Sequence, residues 1–310
     1  MRRKYNVYVY GAGHSYNELM SYLHYYPNIC VRAIVTTKPL PYSFIDGYEC
    51  ITVEQADWEK IDYCIVAIQT WDNVKDILLN TSAREKIIRS HVFKIPFFDF
   101  DKYIELREKN VSILSNYCLG GHLYREFGLK MLSPTVNMYC SGMKYIHFLN
   151  HYKEYLRVEM KEIMNINHID GTMGKEEFWP HGVIEDCEGN KVEWVLNHDF
   201  EPGESVNKWN IRKDRVNFDN IVALMIIQSD EEAYAFDTLG FKRKIGFYYK
   251  DLGLNSVICI REWFDRRNVI EFDSEFGTFV NTYMRNFVRD VPTVDWLSFL
   301  LGEQDYIRKR

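Results

Sequence analysis

Twice in this chain an apolar run ends near paired glycines and passes into a helical pattern, and that repeated signature limits the fold more than any other feature. The first instance is the run from Tyr5 to Tyr10, followed by Gly11-Ala12-Gly13-His14. The second is Val111-Ser112-Ile113-Leu114, followed by Ser115-Asn116-Tyr117-Cys118-Leu119-Gly120-Gly121-His122. Runs of this length and composition predict strands, and the glycines predict a tight bend after each. Beyond Gly11, the residues Tyr16, Leu19, Met20 and Leu23 recur at helical spacing, so one helix face is apolar and has to pack back on the sheet. A strand covered by the helix that follows it is the first half of a βαβ unit.

The rest of the first hundred residues fits that unit. Residues 30–35 and 61–68 predict two more strands, 74–79 a helix, and 91–95 a short strand stopped by Pro96. The charged segment 99–110 predicts a helix leading out. The expected fold class is therefore α/β in two domains, a Rossmann-like domain over residues 1–109 and a larger C-terminal α/β domain over 110–310. Gly11, Gly13 and His14 are the candidate ligand residues of the first domain, because a helix start offers unpaired N–H donors to an anion. The full dinucleotide fingerprint is incomplete: Tyr16 fills the third glycine position, and the second strand runs out into Thr36-Thr37-Lys38 without the acid that binds ribose hydroxyls. A nucleotide or nucleotide-sugar and a purely structural turn both remain open for this loop. On that glycine turn and strand order, the domain resembles the small N-terminal domain of bacterial sugar acyltransferases, which implies a nucleotide-sugar ligand.

Composition excludes several classes. The chain has 310 residues, 46% hydrophobic and 26% charged, with a net charge of -6, which leaves no broad footprint for nucleic acid. Seven cysteines without a CxxC pair argue for free thiols in a reducing cytoplasm. The opening apolar run stops at Gly11, short of a signal-peptide core, and the run 221–227 is far short of the roughly 20 residues that span a bilayer. The expected location is the cytoplasm, with no membrane insertion.

In the second domain, Cys118 and His122 are expected to converge with backbone N–H groups at a Gly120-Gly121 bend, with Asn116 lining the same turn. A helix start and a nearby imidazole both lower a thiol pKa, which makes Cys118 a candidate nucleophile beside the alternative of a small buried side chain. Residues 142–160 predict one long helix, on which His147 and His151 lack the intervening glutamate of a zinc protease helix and are read as packing or surface residues. A hairpin turns at Asp186–Asn190, and His198 and Asp199 follow its second strand, where an imidazole fixed by a carboxylate can act as general base. The helix predicted over 204–216 puts Lys208, Arg212 and Arg215 on one face, a candidate clamp for phosphate set against the plainer reading of a solvated basic face. Strands are expected at 221–227, 244–249 and 256–260, with an N-capped helix starting at Ser229.

Several segments in this order resemble one family. Ser115-Asn116-Tyr117-Cys118-Leu119-Gly120-Gly121-His122, Phe127-Gly128-Leu129, Ser133-Pro134-Thr135-Val136, Leu196-Asn197-His198, the run from Lys208 to Asn220, and Phe236-Asp237-Thr238-Leu239 are similar to a bacterial family catalogued as domain of unknown function nineteen-nineteen. Its members are often labelled exopolysaccharide-biosynthesis proteins. The chain departs from the family pattern at Asn210, where arginine is expected, and at Asn137, where glycine is common. The resemblance implies a surface-polysaccharide context and names no reaction and no cofactor. Combined with the phosphate-binding features, it predicts a transferase acting on a nucleotide-sugar or another small anionic donor. The alternatives are a non-catalytic nucleotide-binding protein and a nicotinamide-dependent oxidoreductase.

Overall fold

The computed structural model describes residues 3–170, 175–196, 203–260, 288, 293–303, 306 and 307; for 162–170 and 175–179 it describes the backbone. The chain forms two compact units, Met1–Ile104 and Glu105–Arg310.

In the first unit the chain order is β1 (Tyr5–Tyr10), α1 (His14–Leu23), β2 (Ile29–Thr36), β3 (Phe44–Ile45), β4 (Tyr48–Thr52), β5 (Tyr63–Val66), α2 (Lys75–Leu79) and β6 (Ile87–Arg89). Across the sheet the order is β3-β4-β2-β1-β5-β6, with every pairing parallel except β3 with β4. Strand β1 is central, so five of its six residues are buried, as a strand covered on both faces requires. Helix α1 buries Tyr16, Leu19 and Leu23. An aromatic cluster closes the sheet's other end, with Tyr5 set edge-on to Phe100 at 5.2 Å. The strand expected at 91–95 is displaced: β6 precedes it, and Ser90–Lys94 is a 3-10 helix burying Val92 and Phe93. Strands β3 and β4, which the turn-rich stretch before Thr52 obscures, were not anticipated.

Helix α3 (Phe100–Glu108) bridges the division between the units. The second unit contains β7 (Ser112–Ser115), α4 (Leu119–Phe127), α5 (Gly142–Asn150), α6 (Tyr152–Tyr155), β8 (Lys161–Asp170), β9 (Lys175–Glu185), β10 (Lys191–Val195), α7 (Glu204–Lys213), β11 (Ile221–Ile226), α8 (Asp230–Asp237), β12 (Lys244–Tyr248), β13 (Val257–Cys259) and α9 (Trp296–Leu301). Its main sheet is parallel in the order β13-β12-β11-β7, and β8, β9 and β10 form a separate antiparallel sheet. The α/β class with parallel sheets therefore holds in both units.

Three large rings lock the antiparallel sheet to the helices: Phe148 meets Trp194 edge-on at 5.2 Å, and Trp194 lies 5.6 Å from Trp209. All three are essentially fully buried. The single helix expected over 142–160 is broken at His151, whose φ of -119° leaves the helical region. The break is held by Tyr155, which pairs through its hydroxyl with His147 Nε2 at 2.8 Å and with Asp186 Oδ2 at 3.3 Å.

Candidate functional site

In the first unit the loop after β1 is shaped by its two neighbours. Gly11 N donates to Val35 O at 2.9 Å and Ala67 N donates to Tyr10 O at 2.8 Å, so β1 is paired on both sides up to its last residue. Gly11 has φ +105°, and a Cβ built there would stand 2.6 Å from Ala67 O. Only glycine lets the backbone pass so close to β5 in that conformation. Gly13, with φ -99°, caps α1 without a side-chain hydrogen bond, and nothing lies within 4 Å of the Cβ position it lacks. His14 is exposed. The first-turn N–H groups of α1 thus open where β1 lies between β2 and β5, the point at which connections leave the sheet in opposite directions. Ligands of open α/β sheets bind at such a switch point.

Tyr16, standing where a dinucleotide fold has its third glycine, is buried and donates its hydroxyl to Asp46 Oδ2 at 2.9 Å. Burial comes first among the causes that hold this phenol far above its ordinary pKa, with the Asp46 carboxylate second. The end of β2 closes on itself, Thr36 Oγ1 donating to Lys38 O at 2.8 Å and Thr37 Oγ1 pairing with the Tyr10 hydroxyl.

The turn after β7 differs from the expectation in its details. Helix α4 begins at Leu119, so Gly120 and Gly121 are inside its first turn and are not the bend; the bend is Asn116-Tyr117-Cys118. Gly120 permits close packing on β7, since an added Cβ would stand 3.2 Å from Ser115 Cβ, and one at Gly121 would stand 2.2 Å from Asn137 Oδ1. Gly120 serves helix-to-strand contact, the role the third glycine has in a dinucleotide fold, and Gly121 lets α4 approach the turn at Val136-Asn137.

Asn116 is equally occupied. It is buried, its Nδ2 donates to Ile226 O at 3.0 Å and its Oδ1 accepts from Ile226 N at 2.9 Å. The amide extends the ladder between β7 and β11 by one step, so it is not the ligand-lining group expected. Cys118 is 8% exposed, and burial pushes its thiol up to about 11. The start of α4 favours a thiolate, but loss of solvation is the larger effect, so this thiol stays protonated near neutral pH and is a poor nucleophile. His122 is half-buried on α4, with Nδ1 2.7 Å from Arg125.

The basic face lies elsewhere. Lys208 pairs with Glu204 one turn back on α7, and Arg215 lies beyond the helix end. Burial is the first cause that lowers the pKa of the half-buried Arg212, the Arg215 charge is the second, and Tyr124 acts in the opposite sense. The Tyr124 hydroxyl accepts from Ile113 N at 2.8 Å and donates to Val111 O at 3.0 Å, and Asn217 bonds both Ser112 Oγ and Asn110 O. Arg212 and Arg215 therefore belong to the amino end of β7, whereas Asn116, Cys118 and His122 follow its carboxyl end. The two ends of β7 are four strand residues apart, about 13 Å. Asn116 and Cys118 thus stand at the opposite end of β7 from the segment that carries Arg215. His198 and Asp199, the remaining expected pair, lie outside the described residues.

A family whose profile is described as Domain of unknown function (DUF1919) matches residues 89–298. The chain belongs to this family. An uncharacterised protein of Haemophilus influenzae is 23% identical over 195 residues, 61% of this chain and 87% of that protein. Among solved structures, aspartate semialdehyde dehydrogenase II of Vibrio cholerae is 11% identical with a TM-score of 0.24, covering 53% of each chain. A myo-inositol dehydrogenase of Corynebacterium glutamicum is 11% identical with a TM-score of 0.23, covering 62% of this chain and 68% of that one. This chain thus spans about half the length of the first enzyme, and overlaps this loose carry no argument about ligand or reaction.

The DUF1919 segment begins at the last residue of β6 and ends at residue 298, so it takes in most of the second unit and leaves the Gly11 loop outside. Many of the residues that carry the family resemblance are structural in the folded chain. Asp237 Oδ1 accepts from Ser256 N at 2.8 Å and from Ser256 Oγ at 2.6 Å, and Asn220 Nδ2 donates to Lys109 O at 2.6 Å. One feature of the DUF1919 unit was not anticipated, a cleft of about 420 Å³ at the amino edge of the parallel sheet, lined by residues from α5, α6 and the loops before β11 and β12. Its residues come from three separate stretches, 149–152, 218–221 and 239–243, and of them Phe218, Asp219 and Leu239 fall in motifs.

Proposed function

We propose that this chain is a transferase of surface-polysaccharide assembly whose first unit holds a nucleotide-sugar over Gly11, Gly13 and His14. The observation that supports it is the switch point itself: a parallel sheet in the order β4-β2-β1-β5-β6, with a strained glycine at the carboxyl end of its central strand and an uncapped helix start beside it. A diphosphate accepts hydrogen bonds from such a turn and is favoured by the positive end of the helix dipole. The polysaccharide context is the one implied by the label that members of the family often carry. Cys118 has no part in the chemistry proposed here, because its buried thiol is protonated.

The test is a thermal-shift comparison of wild type with Gly13→Asp. Position 13 has ordinary backbone angles and open space, and aspartate is a favourable N-cap, so the variant should fold at least as stably. Its carboxylate would face the phosphates. UDP-sugars should raise the melting temperature of wild type, by about 2.7 kcal/mol of stabilisation at one hundred times the Kd, and fail to raise that of Gly13→Asp. Equal shifts in both proteins, or none in wild type, would remove the reading; a shift with nicotinamide dinucleotides alone would replace the transferase by an oxidoreductase.

A further inference from the structure

The amino-edge cleft of the second unit has the chemistry of a sugar site. Its aromatic wall is Tyr152, Phe218 and Phe241: the rings of Tyr152 and Phe218 are 6.4 Å apart and within 25° of parallel, and that of Phe241 is 5.0 Å from Tyr152. Tyr152 and Phe241 pack against the main core, which fixes the wall, while Phe218 is 38% exposed and presents a ring to solvent. Along the rim stand Asn150, Asp219 and Lys242. Among the described residues none of these three side chains has a hydrogen-bond or ion-pair partner.

A volume of about 420 Å³ falls in the range of small-molecule sites, roughly 300–1,000 Å³. A pyranose matches the lining on both counts. Its C–H face is apolar enough to lie on an aromatic ring, and its hydroxyls are donors and acceptors at once, which suits a carboxylate and an amide together. A phosphate does not match. Asp219 would repel it and offset the Lys242 ammonium, and Arg243, the guanidinium among the described lining residues, already donates to Leu300 O and to Asn220. We infer that this cleft binds a neutral saccharide of one or two pyranose units, stacked on Tyr152, Phe218 and Phe241 and hydrogen-bonded through Asn150 and Asp219. The inference deepens the proposed function, for which this saccharide would be the acceptor end, and rests on that reading only for its biological role.

Saturation-transfer NMR on the full chain tests it with three neutral probes, cellobiose, maltotriose and N,N′-diacetylchitobiose. At least one should receive saturation, strongest at its ring C–H protons, and Phe218→Ala and Asp219→Ala should each weaken it about tenfold in Kd, the equivalent of one aromatic or charged contact. Both side chains are exposed, so unchanged melting temperatures would show that the variants fold. Absence of transfer to all three probes overturns the inference. So does transfer that both variants retain, or transfer abolished by inorganic phosphate. A nucleotide-sugar response dependent on Gly13 is read independently, so either conclusion can fail while the other stands.

Discussion

Cys118 shows how the same neighbours that make a residue look reactive can leave it inert. A helix start and an imidazole four residues on are visible in the sequence; the burial of the thiol is not. With burial holding it up to about 11, Cys118 should resist iodoacetamide at neutral pH while the exposed Cys187 in the hairpin turn is alkylated. Peptide mapping after brief treatment checks this, and comparable labelling of the two would mean Cys118 is solvated. Glu232 is the converse, a group that no motif marks. It is 8% exposed, its Oε2 accepts from Gln228 N at 2.8 Å, and an added Cβ on Gly142 would lie 2.0 Å from its carboxyl. Desolvation is the leading cause that raises its pKa. In the interval between the unfolded and the raised folded value, the native state keeps a proton that the unfolded chain has released. Stability therefore falls as pH rises through that interval; the penalty is absent below the unfolded value and complete above the folded one. Glu232→Gln should remove this slope in urea midpoints taken from about pH 4 to pH 8, and a slope identical to wild type would assign it to other groups.

At the scale of elements, β7 is a short strand that depends on side chains at both of its ends. Tyr124 hydrogen-bonds its amino-terminal backbone, and Thr135 Oγ1 accepts from Ser115 N at 3.1 Å. Asn116 then joins the strand's exit to Ile226 with two bonds inside the core. Removing that amide leaves a buried donor and a buried acceptor of the Ile226 backbone without partners, so Asn116→Ala should cost about 2–4 kcal/mol in urea unfolding. A loss below about 1 kcal/mol would mean water replaces the amide. The glycines of α4 were legible as glycines that matter, yet their purpose was misplaced: a pair read as a bend is a packing face, because the period-3.6 pattern already starts at Leu119. The helix over 142–160 failed for the opposite reason. Its periodicity runs on through His151, and the break there is held by Tyr155 reaching His147 and Asp186, a contact no local pattern encodes.

Over the whole molecule, the two units carry separate candidate sites of different chemistry. The first offers uncapped N–H groups to an anion, the second an aromatic wall with a mixed polar rim to a neutral ring. Gly13→Asp should leave the saccharide signal intact, and Phe218→Ala should leave the nucleotide-sugar shift intact. No helix among the described residues is long and apolar enough to cross a membrane. By itself the sequence determined the α/β class, the two strand-to-helix turns, the family and the N-cap of α8, because each rests on periodicity, glycine placement or contiguous motifs. Tertiary structure alone decided which groups meet. Whether a residue follows the carboxyl end of β7 or lies beside its amino end is a matter of about 13 Å of strand, and that depends on how α7 returns to the sheet. The cleft was hidden for the same reason: its wall is assembled from rings far apart in the chain, and their proximity is a product of folding that composition and spacing do not record.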